Sequence, residues 1–291
     1  MNTIPDPISF ESAIEKFIAH LKDHRRSAAT TIAYHGDLRQ LHEFLKERRI
    51  TQATTVQTVH LEEFITNLST KGYTPKSISR KINSLKTFFK FLIDSGLHSH
   101  NPSSPLTHPK YDIKAPRILS ETEHKSLRDA ARLDIRISAI IELLLQTGIR
   151  IGELANIRME DTKKNEVHIR PAESNPERII PLNKTASTAL QNYLSIRPQV
   201  ENDHLFVTKT GHPLLVRNIR TAIDRYFKKA GIKDAKVNDL RHTFAAHQLK
   251  SGVHPDFLTQ ILGHKRKSST EKYLDYVKIE VTQFSTRLTE L

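Results

Sequence analysis

Two arginines in short, glycine- and histidine-bearing motifs are the residues of this chain best suited to chemistry on a phosphodiester. Arg150 sits in Thr147-Gly148-Ile149-Arg150-Ile151-Gly152-Glu153-Leu154, and Arg241 in Asn238-Asp239-Leu240-Arg241-His242-Thr243-Phe244-Ala245. A phosphodiester presents two non-bridging oxygens, and charge that builds on them in a displacement is best met by planar, permanently charged guanidinium groups. Arg150 directly follows a helix-ending glycine and is expected in the first turn of the next helix, where backbone amides also favour an anion. Further on come Leu262-Gly263-His264 and, nine residues later, Tyr273. Each residue also has a plain structural reading. The arginines could be ordinary ion-pair partners, Glu153 a buried or capping carboxylate, His264 the residue that closes a helix, and His242 and His247 packing histidines. A single tyrosine near a helix is more often half-buried packing than a nucleophile.

Taken in order, the set resembles the tyrosine recombinases, also called the phage integrase family, and among them the compact Xer-like recombinases. The family's first arginine lies in a T-G-x-R-x-x-E-L stretch, matched by Arg150 and Glu153. Its second lies in H-x-L-R-H-x-F-A, matched by Arg241, His242 and Phe244; its L-G-H falls on Leu262-Gly263-His264, and its nucleophilic tyrosine on Tyr273. Tyr276, one helical turn on, is the rival and reads as a surface or packing residue. The resemblance implies a site-specific DNA recombinase. Tyr273 would displace a 5′ hydroxyl and form a 3′-phosphotyrosyl link, Arg150 and Arg241 would hold the phosphate, and His264 would assist proton movement or hydrogen-bond the phosphate. No metal and no other cofactor is implied. The bond energy is kept in the covalent intermediate, so a 5′ hydroxyl from another strand reverses the step without ATP.

Two positions depart from the family pattern. Asn238 stands where the family usually carries the histidine of H-x-x-R; it can donate a hydrogen bond but cannot shuttle a proton. Aligning Glu177-Arg178-Ile179-Ile180-Pro181-Leu182 on the family's E-R-x-x-P-L puts Glu173 at the hairpin lysine, the acid that usually protonates the leaving oxygen. A carboxylate cannot replace that cation. Arg170 or Lys184 leaning in, or a shifted hairpin, are the open alternatives, and slow or partner-activated cleavage is one consequence. Both departures argue for a rival of another class, a catalytically impaired DNA-binding protein that keeps the fold. Retention of Arg150, Arg241, His264 and Tyr273 argues against it.

The elements that must carry these residues show in the periodicity. Residues 8–24, 27–48, 59–71 and 75–95 have helical spacing of apolar positions, as in Ile78, Ile82, Leu85, Phe89 and Leu92. Ser27, Gly72, Thr74-Pro75 and Gly96 punctuate them as caps and stops. Four prolines between Asn101 and Pro116, without apolar periodicity, predict an ordered non-helical connector. Beyond it, Ser120 and Glu123 form a candidate capping box, and 134–147 is a strongly apolar helix ended by Gly148. Residues 166–170 and 178–182 read as strands around a turn, with Leu205–Thr208 as a third, and the pattern after Arg217 is helical. The fold class expected is mainly α with a small antiparallel β-sheet. The resemblance adds a two-domain clamp: a helical core-binding (SAM-like) domain at 1–105, a linker at 106–117 and a tyrosine recombinase catalytic domain at 118–291.

Composition bounds the partners. Lys and Arg number 45 against 32 Asp and Glu, a net charge of +13, with a pI near 9.8, which favours a polyanion over an acidic small molecule. No run approaches the 18 or so apolar residues that a membrane span needs, and mean hydropathy is −0.48. Met1 to Phe10 has no basic region followed by an apolar stretch, and the chain has no cysteine, so a cytoplasmic protein without membrane partners is expected. The 16 histidines form no convincing ligand pair with a carboxylate. The fourth helix carries Lys76, Arg80, Lys81, Lys86 and Lys90 beside its apolar stripe, and Arg217 and Arg220 open a later helix. Of these, Lys76, Arg80, Arg217 and Arg220 are the candidate contacts to double-stranded DNA. Strand exchange in the family needs two sites and four protomers, which implies a homotetramer on DNA, with or without a partner recombinase. The tail from Lys278 to Leu291 offers Ile279, Val281, Phe284 and Leu288 as a face expected to pack on a neighbouring protomer.

Overall fold

Hydroxyl caps and apolar stripes build the first part of the chain. In the computed structural model, which describes residues 8–24, 26–112, 114–163, 165–172, 175–277 and 284–291, helices α1 (Phe10–Asp23), α2 (Ala28–Lys46), α3 (Thr58–Thr70) and α4 (Pro75–Asp94) form one unit, Met1–Ile113. Ser9, Ser27 and Thr74 accept from the amides of Ser12, Thr30 and Ser77 at 3.1, 3.0 and 3.3 Å, satisfying donors that a helix start leaves unpaired. The expected stripe of α4 is buried throughout and joins Phe10, Phe17 and Phe88 in the core. Phe88 lies 5.5 Å from Phe10 and 5.4 Å from Phe17, ring centre to ring centre.

One part of that stripe is charged. Lys81 is 6% exposed and donates to Asp37 of α2 at 2.8 Å and to the Gln40 side chain at 2.7 Å. Asp37, itself 3% exposed, also receives both ends of the Arg80 guanidinium. The basic face of α4 therefore supplies two partners to a carboxylate 43 and 44 residues earlier.

The second unit, Lys114–Leu291, is arranged around one helix. The capping box opens α5 (Glu121–Ala131): Ser120 Oγ accepts from Glu123 N at 3.2 Å and Glu123 from Ser120 N at 2.9 Å. Helix α6 (Ile135–Thr147) is buried at every position from Ile137 to Thr147 except Ser138, as a helix apolar on all sides must be. It packs between α8 (Lys184–Ile196) and α10 (Val237–Lys250). Gly148 ends it at φ +62, where an added Cβ would lie 2.3 Å from Phe244 Cδ1. The glycine thus serves both the left-handed turn and the close approach of α10.

Between α7 (Ile151–Asn156) and α8 lies a sheet of order β1-β2-β3, antiparallel throughout: β1 (Thr162–Lys163), β2 (Glu166–Ile169) and β3 (Arg178–Pro181). Val167 faces Ile180 and Ile169 faces Arg178, so the two strands expected around the turn pair as a hairpin. The third strand is β1, not Leu205–Thr208. Leu205 N bonds Ile157 O and Thr208 N bonds His212 O, isolated links rather than a ladder. Leu205, Phe206 and Val207 are apolar because they fill the core, each at 0% exposure. Helices α9 (Val216–Lys229), α11 (Pro255–Leu262) and α12 (Ser268–Glu271) complete the unit.

Residues 284–291 lie along the unit's own surface. Gln248 of α10 pairs with both the amide and the carbonyl of Thr289 at 2.8 Å, and Leu288 packs against the core. Of the tail's expected outward face, Leu288 is thus used internally and Phe284 is 51% exposed; Ile279 and Val281 lie outside the described residues. Among the described residues no helix is long and apolar enough to cross a membrane.

Breaking a buried ion pair by removing one partner costs about 3–5 kcal/mol, because it strands the other charge. Asp37→Ala should destabilise the first unit by roughly that amount in urea unfolding of the whole chain. Asp37→Leu combined with Lys81→Met should recover most of the loss.

Candidate active site

The last carbonyls of a helix have no partner within it, and at the end of α11 they are met by three arginines from three other elements. Arg178 on β3 donates from Nε to Ile261 O at 2.7 Å. Arg241 on α10 donates from Nη2 to Leu262 O at 2.7 Å and from Nη1 to Gly148 O at 2.5 Å. Arg150 donates to Leu262 O at 3.2 Å and Gly263 O at 3.0 Å. Both candidate arginines thus share one carbonyl, which fixes their spacing. Arg178, absent from the sequence-derived set, is the third; its only sequence signal was the Glu177-Arg178 step of the hairpin.

One carboxylate stands among them. Glu153 accepts from Arg178 Nη2 at 2.6 Å, from Arg150 Nη1 at 2.9 Å and from the Arg150 amide at 2.8 Å. Burial alone would raise its pKa, but the Arg178 and Arg150 hydrogen bonds and charges outweigh that and hold it below the usual carboxylate range. Arg150 is the N-cap of α7, with extended backbone, rather than a residue of its first turn. Its amide is taken by Glu153, so that amide is not free for an anion. Burial, then the Arg150 charge, pull Arg241 down to about 9, still charged at neutral pH.

Gly263 ends α11 at φ +61, and an added Cβ would meet Arg178 Nη1 at 2.8 Å. The turn carries His264, whose Nδ1 lies 2.8 Å from the hydroxyl of buried Thr270 on α12. Burial first, then the charges of Arg241 and Arg150, lower His264 to about 3, so it is neutral in the site as it stands. Tyr273 follows α12, is 2% exposed, and has its hydroxyl 2.6 Å from His242 Nδ1. Burial raises its pKa against the opposing charge of Arg241. Tyr276 is 44% exposed on the next turn.

Asn238 lies at the rim, between a cleft of about 670 Å³ lined by Arg150 and one of about 450 Å³ lined by Arg220 and Arg241. Its Nδ2 is 2.7 Å from His242 Nε2. Arg217 is exposed at the start of α9, and Lys76 at the start of α4 in the other unit, where Arg80 is engaged by Asp37. Glu173 lies outside the described residues. Arg170 is held by Asp161 at 2.7 Å and by Glu160, hydrogen bonds that raise its pKa further and make it a poor proton donor. Lys184 opens α8. Among the described residues no cluster of metal-ligating side chains occurs.

Comparison with known proteins gives this geometry a family. Residues 116–278 match the model of the phage integrase family, and residues 14–96 that of the phage integrase N-terminal SAM-like domain. The tyrosine recombinase XerC of Staphylococcus carnosus is 30% identical over 282 residues, 94% of this chain and 92% of the relative. The crystal structure of XerA recombinase aligns with a TM-score of 0.53 at 29% identity, covering 91% of this chain and 93% of that one. A lambda integrase dimer bound to a COC′ core site shares the fold, with a TM-score of 0.76 at 17% identity over 95% of this chain and 81% of the other. The chain belongs to the phage integrase family, the tyrosine recombinases.

Proposed function

We propose that this protein is a site-specific recombinase that cuts and rejoins DNA through a 3′-phosphotyrosyl intermediate, with Tyr273 as nucleophile and Arg150 and Arg241 as the phosphate clamp. The observation that carries the reading is the shared Leu262 carbonyl, which sets two guanidiniums side by side in a site whose Tyr273 hydroxyl already meets an imidazole. Each guanidinium has five N–H donors. Three on Arg150 and two on Arg241 are used internally, and the rest have no partner among the described residues. Three arginines against one carboxylate leave the site positive, as a phosphate requires. His264, neutral, would hydrogen-bond the phosphate rather than attract it by charge. Asn238 stands at the mouth as a further donor.

The remaining assignments follow from family membership together with placement. The partner is double-stranded DNA; residues 1–105 form the core-binding domain, 106–117 the linker and 118–291 the catalytic domain. Lys76, Arg217 and Arg220 contact phosphate or groove, and Arg80 does so while tied to Asp37. The active assembly is a homotetramer on two sites, with or without a partner recombinase, in the cytoplasm. The biological role is dimer resolution of the Xer type or integration, excision or resolution of a mobile element. The retained clamp and nucleophile favour an active enzyme over a DNA-binding protein that has lost catalysis.

The target is found with a pool of duplexes carrying a randomised central segment, by recovering DNA that stays attached to protein in denaturant. The selected duplex, nicked just 3′ of the attacked phosphate so that the released fragment is lost, should accumulate adduct with the wild type and none with Tyr273→Phe. Adduct with Tyr273→Phe would remove Tyr273 as nucleophile. Binding of that duplex should weaken steeply with salt, and Lys76→Ala, Arg217→Ala and Arg220→Ala should each lower the log–log slope by about 1. An unchanged slope excludes that residue from phosphate contact.

Acid should destabilise the second unit. His264 titrates at about 3 when folded against an ordinary 6.5, so between those values the unfolded chain binds the proton that the folded chain refuses. Stability is then fully present above about pH 6.5 and falls as pH drops toward 3. His124, His242 and His247 are lowered too, each chiefly by burial, and add to the trend. His264→Gln should flatten part of the fall in melting temperature between pH 7.5 and 5.

A further inference from the structure

Tyr273 needs something to take its proton, and among the described residues His264 makes no hydrogen bond to it, its Nδ1 facing Thr270 instead. The only hydrogen-bond partner of the Tyr273 hydroxyl among the described residues is His242 Nδ1, at 2.6 Å. The far nitrogen, Nε2, is 2.7 Å from the side-chain amide of Asn238, one turn earlier on α10. A neutral imidazole has one N–H and one bare nitrogen, and the partner of one nitrogen decides the state of the other.

The Asn238 amide offers both kinds of partner. With its N–H toward Nε2, His242 carries its proton on Nδ1 and donates it to the Tyr273 hydroxyl. A half-turn of the amide brings Oδ1 to Nε2–H instead, and Nδ1 becomes an acceptor for the tyrosine O–H. Asn238 is exposed, so this half-turn meets no packing. We propose that His242 is the proton acceptor for Tyr273, and that Asn238 is a positioning residue that selects the His242 tautomer. This rests on Tyr273 being the nucleophile.

As the Tyr273 Oη–P bond forms and the P–O5′ bond breaks, the phenolic proton passes to His242 Nδ1, and the departing 5′ oxygen takes a proton from water. The imidazolium then has two acceptors, the bridging phosphotyrosyl oxygen at Nδ1 and Asn238 Oδ1 at Nε2. On rejoining, an incoming 5′ hydroxyl gives its proton to water or hydroxide while Nδ1–H returns a proton to the leaving phenolate. The local field keeps the acceptor available: burial, then the charges of Lys272 and Arg241, lower the pKa of His242 against the opposing Asp239, so the ring is neutral at neutral pH. Asp239 and Arg241 share its helix, and Lys272 and Tyr273 face it from the segment after α12.

The test is single-turnover adduct formation on the selected nicked duplex, at saturating protein, from pH 5 to 9. Wild-type rate should rise with the neutral imidazole and level off at or below about 6.5, the ordinary value for histidine. His242→Gln, which hydrogen-bonds without titrating, should cut about 100-fold or more slowly, within the usual contribution of general-base catalysis, and its rate should climb across the whole range. Asn238→Asp, an acceptor that fixes the Nε2–H tautomer and raises the imidazole pKa, should move the plateau to higher pH, whatever its height. Asn238→Leu should slow the reaction several-fold.

A His242→Gln enzyme that matches or exceeds the wild-type rate overturns the proposal, as does an Asn238→Asp profile that does not move. The latter reads the pair even where His242→Gln fails to fold. Adduct that survives in Tyr273→Phe would instead sink the nucleophile assignment, so the two failures are separable.

Discussion

The carbonyls of Gly148, Ile261, Leu262 and Gly263 are the frame on which the site is hung. They lie at the ends of two helices, where partial negative charge gathers, and they let three guanidiniums stand close together with only Glu153 as a carboxylate. A planar fork with five donors reaches two acceptors at once; lysine at 178 or 241 would satisfy one and leave the other buried and unpaired. The glycines at 148 and 263 allow the helices to end there, and Phe244 and Arg178 occupy the space that side chains at those positions would fill. Packing and charge placement are therefore one problem in this unit, and the three guanidiniums are set in place by the protein's own groups.

Much of this could be read in advance where a local rule sets the outcome. The Ser120–Glu123 box, the glycine after α6 and the stripe of α4 depend on residues three to seven apart, and they stand where periodicity and capping chemistry put them. Motif order also brought Arg150, Arg241, His264 and Tyr273 to one place. What escaped depends on distant partners. Lys81 belongs by type to a solvated face, yet Asp37 draws it inside. Leu205–Thr208 has strand-like composition for a reason of burial, while β1, two residues long, has no room for an alternation to show. Arg150 misses the first turn of α7 because Glu153 claims its amide. His242 looked like a packing residue because nothing in its own motif reveals that a tyrosine hydroxyl 31 residues later lies against it.

The two units differ in what their buried charges do. In the first, Asp37 of α2 draws both Lys81 and Arg80 of α4 onto itself, which fixes how those helices meet. In the second, three guanidiniums have Glu153 as their shared counter-ion and are otherwise held by backbone carbonyls. The first arrangement serves the fold. The second leaves guanidinium donors without a protein partner among the described residues.

The setting of Tyr273 differs from that of the clamp. Arg150, Arg178 and Arg241 are anchored by α7, β3 and α10 to the centre of the unit, whereas Tyr273 follows a helix of four residues and enters a single 3-10 turn. With 2% of its surface exposed, its ring is buried as fully as a core residue. A segment with so few helical hydrogen bonds of its own is held in place by the buried side chains of Thr270 and Tyr273. Its order is borrowed from α10 rather than intrinsic, so local opening of the segment and loss of the Tyr273–His242 contact are one event.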